Sequence, residues 1–316
     1  MAGIAAHKIP VHLARCRGYD QAVVASLVEE MAGPLGLASS YAGRTVLLKP
    51  NLISATAPAL ACTDAGFIAG VALWFLDHGA RVRIGDSPAF GTAARAMRRH
   101  GIAAALRGLA VEPVEFVTPV PTLLPCGCRV DLAAEGLDCD LLVNLPKIKA
   151  HNQMYVTLAV KNLFGLVIGM GKAMLHMREG GRAGRFVAVL LDLLNLLPPH
   201  LTIADGIVVM HRDGPISGEA LALGCIAASG SCIALDTALL TLLELDPARS
   251  PLWREAARRG LTGRRPADID YPALLPAAFA GSGFTAPGEL SGIRFNPLRF
   301  LRGMARRFVL ALRPQL

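Results

Sequence analysis

Short apolar runs alternate with helix-length segments from residue 44 onward, and the runs close on Gly, Pro, Asn or Asp clusters. That alternation, with no internal repeat, predicts an α/β fold in which a mostly parallel sheet carries helices on both faces. A further observation concerns position. Lys49-Pro50-Asn51, Gly85-Asp86-Ser87, Lys147 to His151 and Asp205-Gly206 each follow a predicted strand, and parallel sheets bind their ligands beyond the carboxyl ends of the strands.

Arg44 to Lys49 reads as a strand that stops at Pro50-Asn51. Thr63 to His78 reads as a helix, with Thr63 suited to the N-cap and Gly79 to the C-terminal stop. Arg81 to Ile84 forms the next strand, Thr92 to His100 a helix closed by Gly101, and Val111 to Val117 a further strand. A less regular stretch follows. Leu141 to Leu145 is a buried-type strand ended by Pro146, and helices are expected over Thr157 to Leu166 and roughly Gly184 to Leu197. Leu201 to Ala204 and Leu223 to Ala228 are strands, and Ser231 to Leu243 is a helix. Gly260 to Asn296, rich in Pro, Gly and Ala, reads as irregular wrapping.

At 316 residues the chain is long for one domain and short for two. Residues 1–290 are read as a single α/β domain and residues 291–316 as a basic C-terminal amphipathic helix. In that helix Asn296 is the cap and Pro297 the first position. Six arginines and no acidic residue lie from Arg294 to the end, so most of the net charge of +8 sits in the tail and the body is nearly neutral. With only 5% aromatic residues and no basic stripe over the body, nucleic acid is not an expected partner. The tail is expected either to pack on protein or to lie on an anionic membrane surface. No secretory leader and no membrane span is legible, which predicts a cytoplasmic protein that could be peripheral on the inner face of the membrane. Seven cysteines without a regular framework suit reduced thiols, and Cys126-Gly-Cys128 lacks a second pair at zinc spacing, so no metal ligands are assigned.

The stretch from Leu141 to Met177 concentrates lysines and histidines in an otherwise apolar segment. If the chain stays extended past Pro146, Lys147, Lys149 and His151 alternate onto one side. Cations so placed repel one another unless an anion or a set of carboxylates neutralises them, which points to an anion site. Thr157 and Lys161 are one helical turn apart, as are Lys172 and His176, and Lys161-Asn162 could present a charge and an amide to one ligand. Neither a phosphate-binding loop, a dinucleotide fingerprint, a nucleophile elbow nor H-E-x-x-H occurs.

These residues carry a resemblance. Lys49-Pro50-Asn51, Gly85-Asp86-Ser87-Pro88, Pro146-Lys147-x-Lys149-x-His151, Thr157-x-x-x-Lys161-Asn162-x-x-Gly165 and Lys172-x-x-x-His176 resemble the domain-of-unknown-function family 362. So do Asp205-Gly206, Gly214-Pro215-x-x-Gly218 and Asp246-Pro247, and the match covers roughly residues 44 to 262. The resemblance implies an α/β domain often found beside, or fused to, ferredoxin-like iron–sulfur segments. This chain has no ferredoxin cysteine run, so any redox link is expected through a separate ferredoxin-like partner.

The reading is an enzyme acting on an anionic small molecule, a carboxylate or a phosphate, with no cofactor assigned. His151 is the candidate acid or base, with Lys149 and Asp86 beside it as catalytic residues. Lys49, Asn51, Lys147, Lys161, Asn162, Asp205 and His176 are the candidate ligand-binding residues. Asp236 is read as a buried partner for a lysine. The alternative is a non-catalytic cofactor carrier, or a module that docks an electron-transfer protein at a membrane surface.

Overall fold

The computed structural model describes residues 8–168 and 183–291. Its strands are β1 (Ile9–Pro10), β2 (His12–Arg15), β3 (Thr45–Pro50), β4 (Arg81–Asp86), β5 (Val111–Glu115), β6 (Pro119–Leu123), β7 (Arg129–Ala133), β8 (Leu141–Leu145), β9 (Lys147–His151), β10 (Tyr155–Thr157), β11 (Val167–Ile168), β12 (His200–His211), β13 (Glu219–Ser229) and β14 (Ile269–Asp270). Between them lie α1 (Gln21–Ala32), α2 (Ala65–Asp77), α3 (Ala93–Arg99), α4 (Ile102–Ala105), α5 (Ala134–Leu137), α6 (Ala159–Asn162), α7 (Ala183–Asp192), α8 (Cys232–Leu242) and α9 (Pro251–Arg258). The tail helix expected over residues 291–316, apart from Ser291, falls outside the described residues.

The fold is mixed α/β with a mainly parallel central sheet. β5, β4, β3, β8 and β12 lie side by side and parallel, and β13 then β2 extend the sheet antiparallel beyond β12. Successive side chains of a strand point to opposite faces, and here each face is covered. Val46, Leu48, Val82, Ile84, Val143 and Leu145 pack with α1, α2 and α3, whereas Leu47 and Leu142 pack with α6, α7 and α8.

The helices start where the sequence offers carboxylates and hydroxyls. Asp20 accepts from Val23 N at 3.0 Å ahead of α1, Thr92 caps α3, and Ser231 caps α8. At α2 the cap is Asp64 and not Thr63, because the Thr63 hydroxyl is already engaged: it donates to Leu145 O at 2.7 Å and accepts from Asn51 N at 2.8 Å. Gly79 and Gly101 close α2 and α3 at φ +81° and +76°, a region where a Cβ is strained. Gly70 of α2 packs against α1 so closely that a Cβ there would meet Val24 Cβ at 2.5 Å.

β8 and β9 form one long bent strand. β12 pairs with β13 along one edge, and along the other it pairs with β8 at His200–Thr202 and with β9 from Asp205. Pro146, at the bend, contributes only its carbonyl, which accepts from Asp205 N at 2.9 Å. Beyond the bend β9 turns back on itself as an antiparallel pair with β10. The polar run from Lys147 is therefore strand, not loop, and it continues past the carboxyl ends of β3, β4 and β8.

Candidate functional site

Asn144, in the middle of β8, is fully buried, so its amide must find partners inside the protein. Its Nδ2 donates to Ala159 O and Thr202 Oγ1, and its Oδ1 accepts from Asn162 Nδ2 at 2.8 Å. Asn162 also donates to Lys49 O at 3.3 Å. These amides fix the short α6 against the sheet. Its N-terminus is capped from α8, where Asp236 accepts from Ala159 N at 2.7 Å and Val160 N at 3.3 Å. Burial pushes the Asp236 carboxyl up to about 7, opposed by those two amides. Among the described residues its partners are backbone N–H groups, and the expected lysine is not one of them.

Lys49 at the end of β3 is fully buried, and its ammonium meets Asp86 Oδ1 at 2.8 Å and donates to Pro50 O at 3.1 Å. The other Asp86 oxygen accepts from Leu52 N at 3.0 Å. Gly165 seals the pair: a Cβ there would lie 2.0 Å from Asp86 Oδ1 and 2.4 Å from Lys49 Nζ. A second buried pair stands on β9 and β12. Lys147 Nζ meets Asp205 Oδ2 at 2.8 Å and donates to the Tyr19 hydroxyl at 2.9 Å. Tyr19 donates to Asp205 Oδ1 at 3.0 Å, and Asp64 N adds a further donor to Oδ2 at 3.0 Å. Lys147 thus spends two of its three donors on Asp205 and Tyr19.

Two residues along, Lys149 opens onto a cleft of about 440 Å³. Asn51, Asp86, Ser87, Lys149, His151, Thr157, Lys161, Asn162 and Gly165 line it, with Asn152, Gln153, Gly214, Pro215 and Ser291 among the other lining residues. Lys149 is 1% exposed, and its ammonium donates to Ala61 O at 2.6 Å and Asn51 Oδ1 at 3.1 Å, both neutral acceptors. Burial, with added repulsion from Lys161 and Lys147, brings it down to about 7, although Cys62 and Asp86 act the other way. The half-buried Lys161 has its ammonium over the rings of Phe164 and Phe186, 5.1 and 5.5 Å from their centroids. Burial and then Lys49 bring it down to about 8. It has no carboxylate partner among the described residues.

His151 is buried in the same wall, and its Nδ1 accepts from Gln153 N at 3.1 Å and Met154 N at 3.2 Å. A ring nitrogen that accepts two amides carries no proton, so in the neutral ring the proton is on Nε2. This arrangement can hold an anion on two ammonium groups and offer a proton beside it.

Of the sequence-predicted residues, Asn51, Asp86, Lys149, His151, Lys161 and Asn162 come together in the cleft. Lys49 stands behind Asp86, and Lys147 with Asp205 forms the separate pair. His176 lies outside the described residues. Sequence reading missed Tyr19 and Asn144, and it named Gly165 in the motif with Lys161-Asn162 without assigning it a role. The lone Asn144 within an apolar run was the available signal, since a buried amide needs partners. No group of three or more His, Cys, Asp or Glu side chains suited to a metal ion occurs among the described residues.

Residues 46–241 match the family described as domain of unknown function (DUF362). The chain is 34% identical over 302 residues to a thylakoid-associated protein of Synechocystis sp., covering 94% of each chain. Among solved structures it is similar to the lactate racemase apoprotein of Thermoanaerobacterium thermosaccharolyticum, with 12% identity and a TM-score of 0.46 over 75% of this chain and 57% of that one. It is also similar to a protein from Thermotoga maritima, with 8% identity and a TM-score of 0.35 over 66% of this chain and 56% of that one. The chain thus spans less than two thirds of either solved chain.

Proposed function

The chain belongs to the DUF362 family, and from that premise and the geometry of its cleft we propose that it is an enzyme acting on an anionic small molecule, a carboxylate or a phosphate. One observation carries the reading: among the described residues Lys149 and Lys161 line one cleft with neutral groups as their direct partners, and Asp86, the carboxylate in the same lining, is taken by Lys49. Uncompensated cations in a partly dry site are costly until an anion enters, and the anion then gains from the same low dielectric. Asp86 serves as the positioning residue that holds Lys49. His151, with its Nε2 proton, is the group that moves a proton to or from the bound anion.

A thermal-shift panel of carboxylic acids and phosphate esters tests this, followed by detection of turnover for the compounds that bind. Wild type should be stabilised by at least one compound, and the shift should survive physiological salt, because a buried pocket is screened less than a surface patch. Lys161→Met should lose the shift. His151→Asn keeps an acceptor for the two backbone amides, so it should bind normally while turnover falls by about 10²–10⁴. Equal stabilisation of wild type and Lys161→Met, or none of either, would remove the reading.

A second reading, attachment to a membrane surface, is supported by the thylakoid association of the relative and by the six arginines after residue 293. No helix among the described residues is long and apolar enough to cross a membrane. In liposome co-sedimentation the full chain should partition onto anionic vesicles and a chain ending at Leu290 should not. Equal behaviour of the two removes this role.

A further inference from the structure

Among the described residues the charges around the cleft do not balance. Lys49 is matched by Asp86 at 2.8 Å and Lys147 by Asp205 at 2.8 Å, which leaves Lys149 and Lys161. Lys149 rests on an amide oxygen and a backbone carbonyl, and Lys161 rests on two aromatic faces. An ammonium over a ring is stabilised by the ring's quadrupole but still has all three hydrogens to donate. Resting on the reading that the cleft binds an anion, we propose that its ligand carries two negative charges, one met by each lysine, as in a phosphate monoester or a dicarboxylate.

A single negative charge would leave one cation unanswered in a site from which the ligand has expelled water. Two charges close the balance with no rearrangement of the pairs beneath. Among the described residues the titratable groups acting on Lys149 are Cys62, Asp86, Lys147 and Lys161, and the one acting on Lys161 is Lys49. Burial pushes the Cys62 thiol up to about 11, so it stays neutral, and Asp86 is already held by Lys49. His151 lines the same cleft with Nδ1 occupied as an acceptor. Nothing in that set supplies the missing negative charge.

Proton uptake follows. Burial brings Lys149 to about 7 and Lys161 to about 8, so the empty site releases protons in mildly alkaline solution. A dianion restores them.

Isothermal titration of the full chain decides this, with inorganic phosphate, malonate and acetate as probes at pH 8.5 in buffers of different ionisation enthalpy. The slope of apparent enthalpy against buffer enthalpy should give an uptake of about one to two protons for phosphate or malonate. Acetate should bind about tenfold or more weakly. Lys161→Met should lower dianion affinity about tenfold or more and reduce the uptake, with the ligand-free melting temperature retained. Acetate binding as tightly as malonate overturns the two-charge assignment and leaves the anion-binding reading intact, and a dianion that binds with zero slope overturns the proton uptake argued from it. Failure of all three probes to bind overturns both. The proton count is read on wild type alone, so a poorly folding variant does not blunt the test.

Discussion

Asp86→Ala is expected to lower folding stability by about 3–5 kcal/mol, the usual penalty for leaving one partner of a buried ion pair behind. Lys49 is fully buried and has one other acceptor, the Pro50 carbonyl at 3.1 Å. Gly165 packs directly on the ammonium and shields it on that side. Removing the carboxylate also takes away the acceptor of Leu52 N, which adds the smaller cost of an orphaned buried donor. The double variant Lys49→Met with Asp86→Leu should recover most of that loss, because apolar replacements of a buried pair are often neutral. Urea unfolding of the wild type, the two single variants and the double variant would measure the coupling, provided the slope with denaturant is unchanged. Equal losses in Asp86→Ala and the double variant would mean that the pair is not the source of the penalty.

Lys149→Met is expected to invert its effect on stability with pH. In the unfolded chain a lysine holds its proton up to about 10.4, whereas in the folded protein burial brings Lys149 down to about 7. Between those values the unfolded state binds a proton that the folded state does not, so this group makes wild-type stability rise with pH across that window. Below the window both states are protonated and the full burial cost remains. Lys149→Met escapes that cost but leaves Ala61 O and Asn51 Oδ1 without their donor. The variant should therefore be more stable than wild type at pH 6, by on the order of 2 kcal/mol, and less stable at pH 10. Denaturation at the two pH values, without ligand, checks this. A difference that keeps one sign and size at both would show that burial does not lower the Lys149 ammonium.

The strand and helix series from residue 44 was legible because its core strands are apolar on both faces and its helices are punctuated by Gly79 and Gly101. The elements that escaped are those whose sequence signal is weak. β2 mixes His12 and Arg15 with apolar residues, and β6 carries Pro119 and Pro121, which fit only because it is an outer strand of a separate three-stranded sheet. β12 runs from His200 to His211, well past the expected Ala204, because Asp205 and Gly206 read as turn residues. Asp205 is held in mid-strand by Lys147 and Tyr19, and no local rule foretells a partner 186 residues away. At the site, residue types were informative and pairings were not. Alternation along β9 placed Lys147 and Lys149 on one side, yet only a three-dimensional arrangement decides that the first meets a carboxylate and the second a cleft.

The bent strand made by β8 and β9 bears on how the selectivity of the proposed anion site would change. Lys149 and His151 are mounted on a ladder hydrogen-bonded to β10 and β12, so shifting either also shifts two neighbouring strands. The rim lies outside that ladder and is held by individual hydrogen bonds: Ser87 N donates to Gly165 O at 3.2 Å after β4, Asn152 and Gln153 form the β9–β10 turn, and Ser291 N, after the last strand, donates to Asn152 O at 2.8 Å. Variation that retunes selectivity should therefore collect at the rim, where a side-chain change leaves the sheet ladder intact, while the cationic floor stays constant; at Asn152 the replacement must still accept from Gly214 N. A saturation library confined to those four rim positions is the economical place to begin re-engineering the cleft.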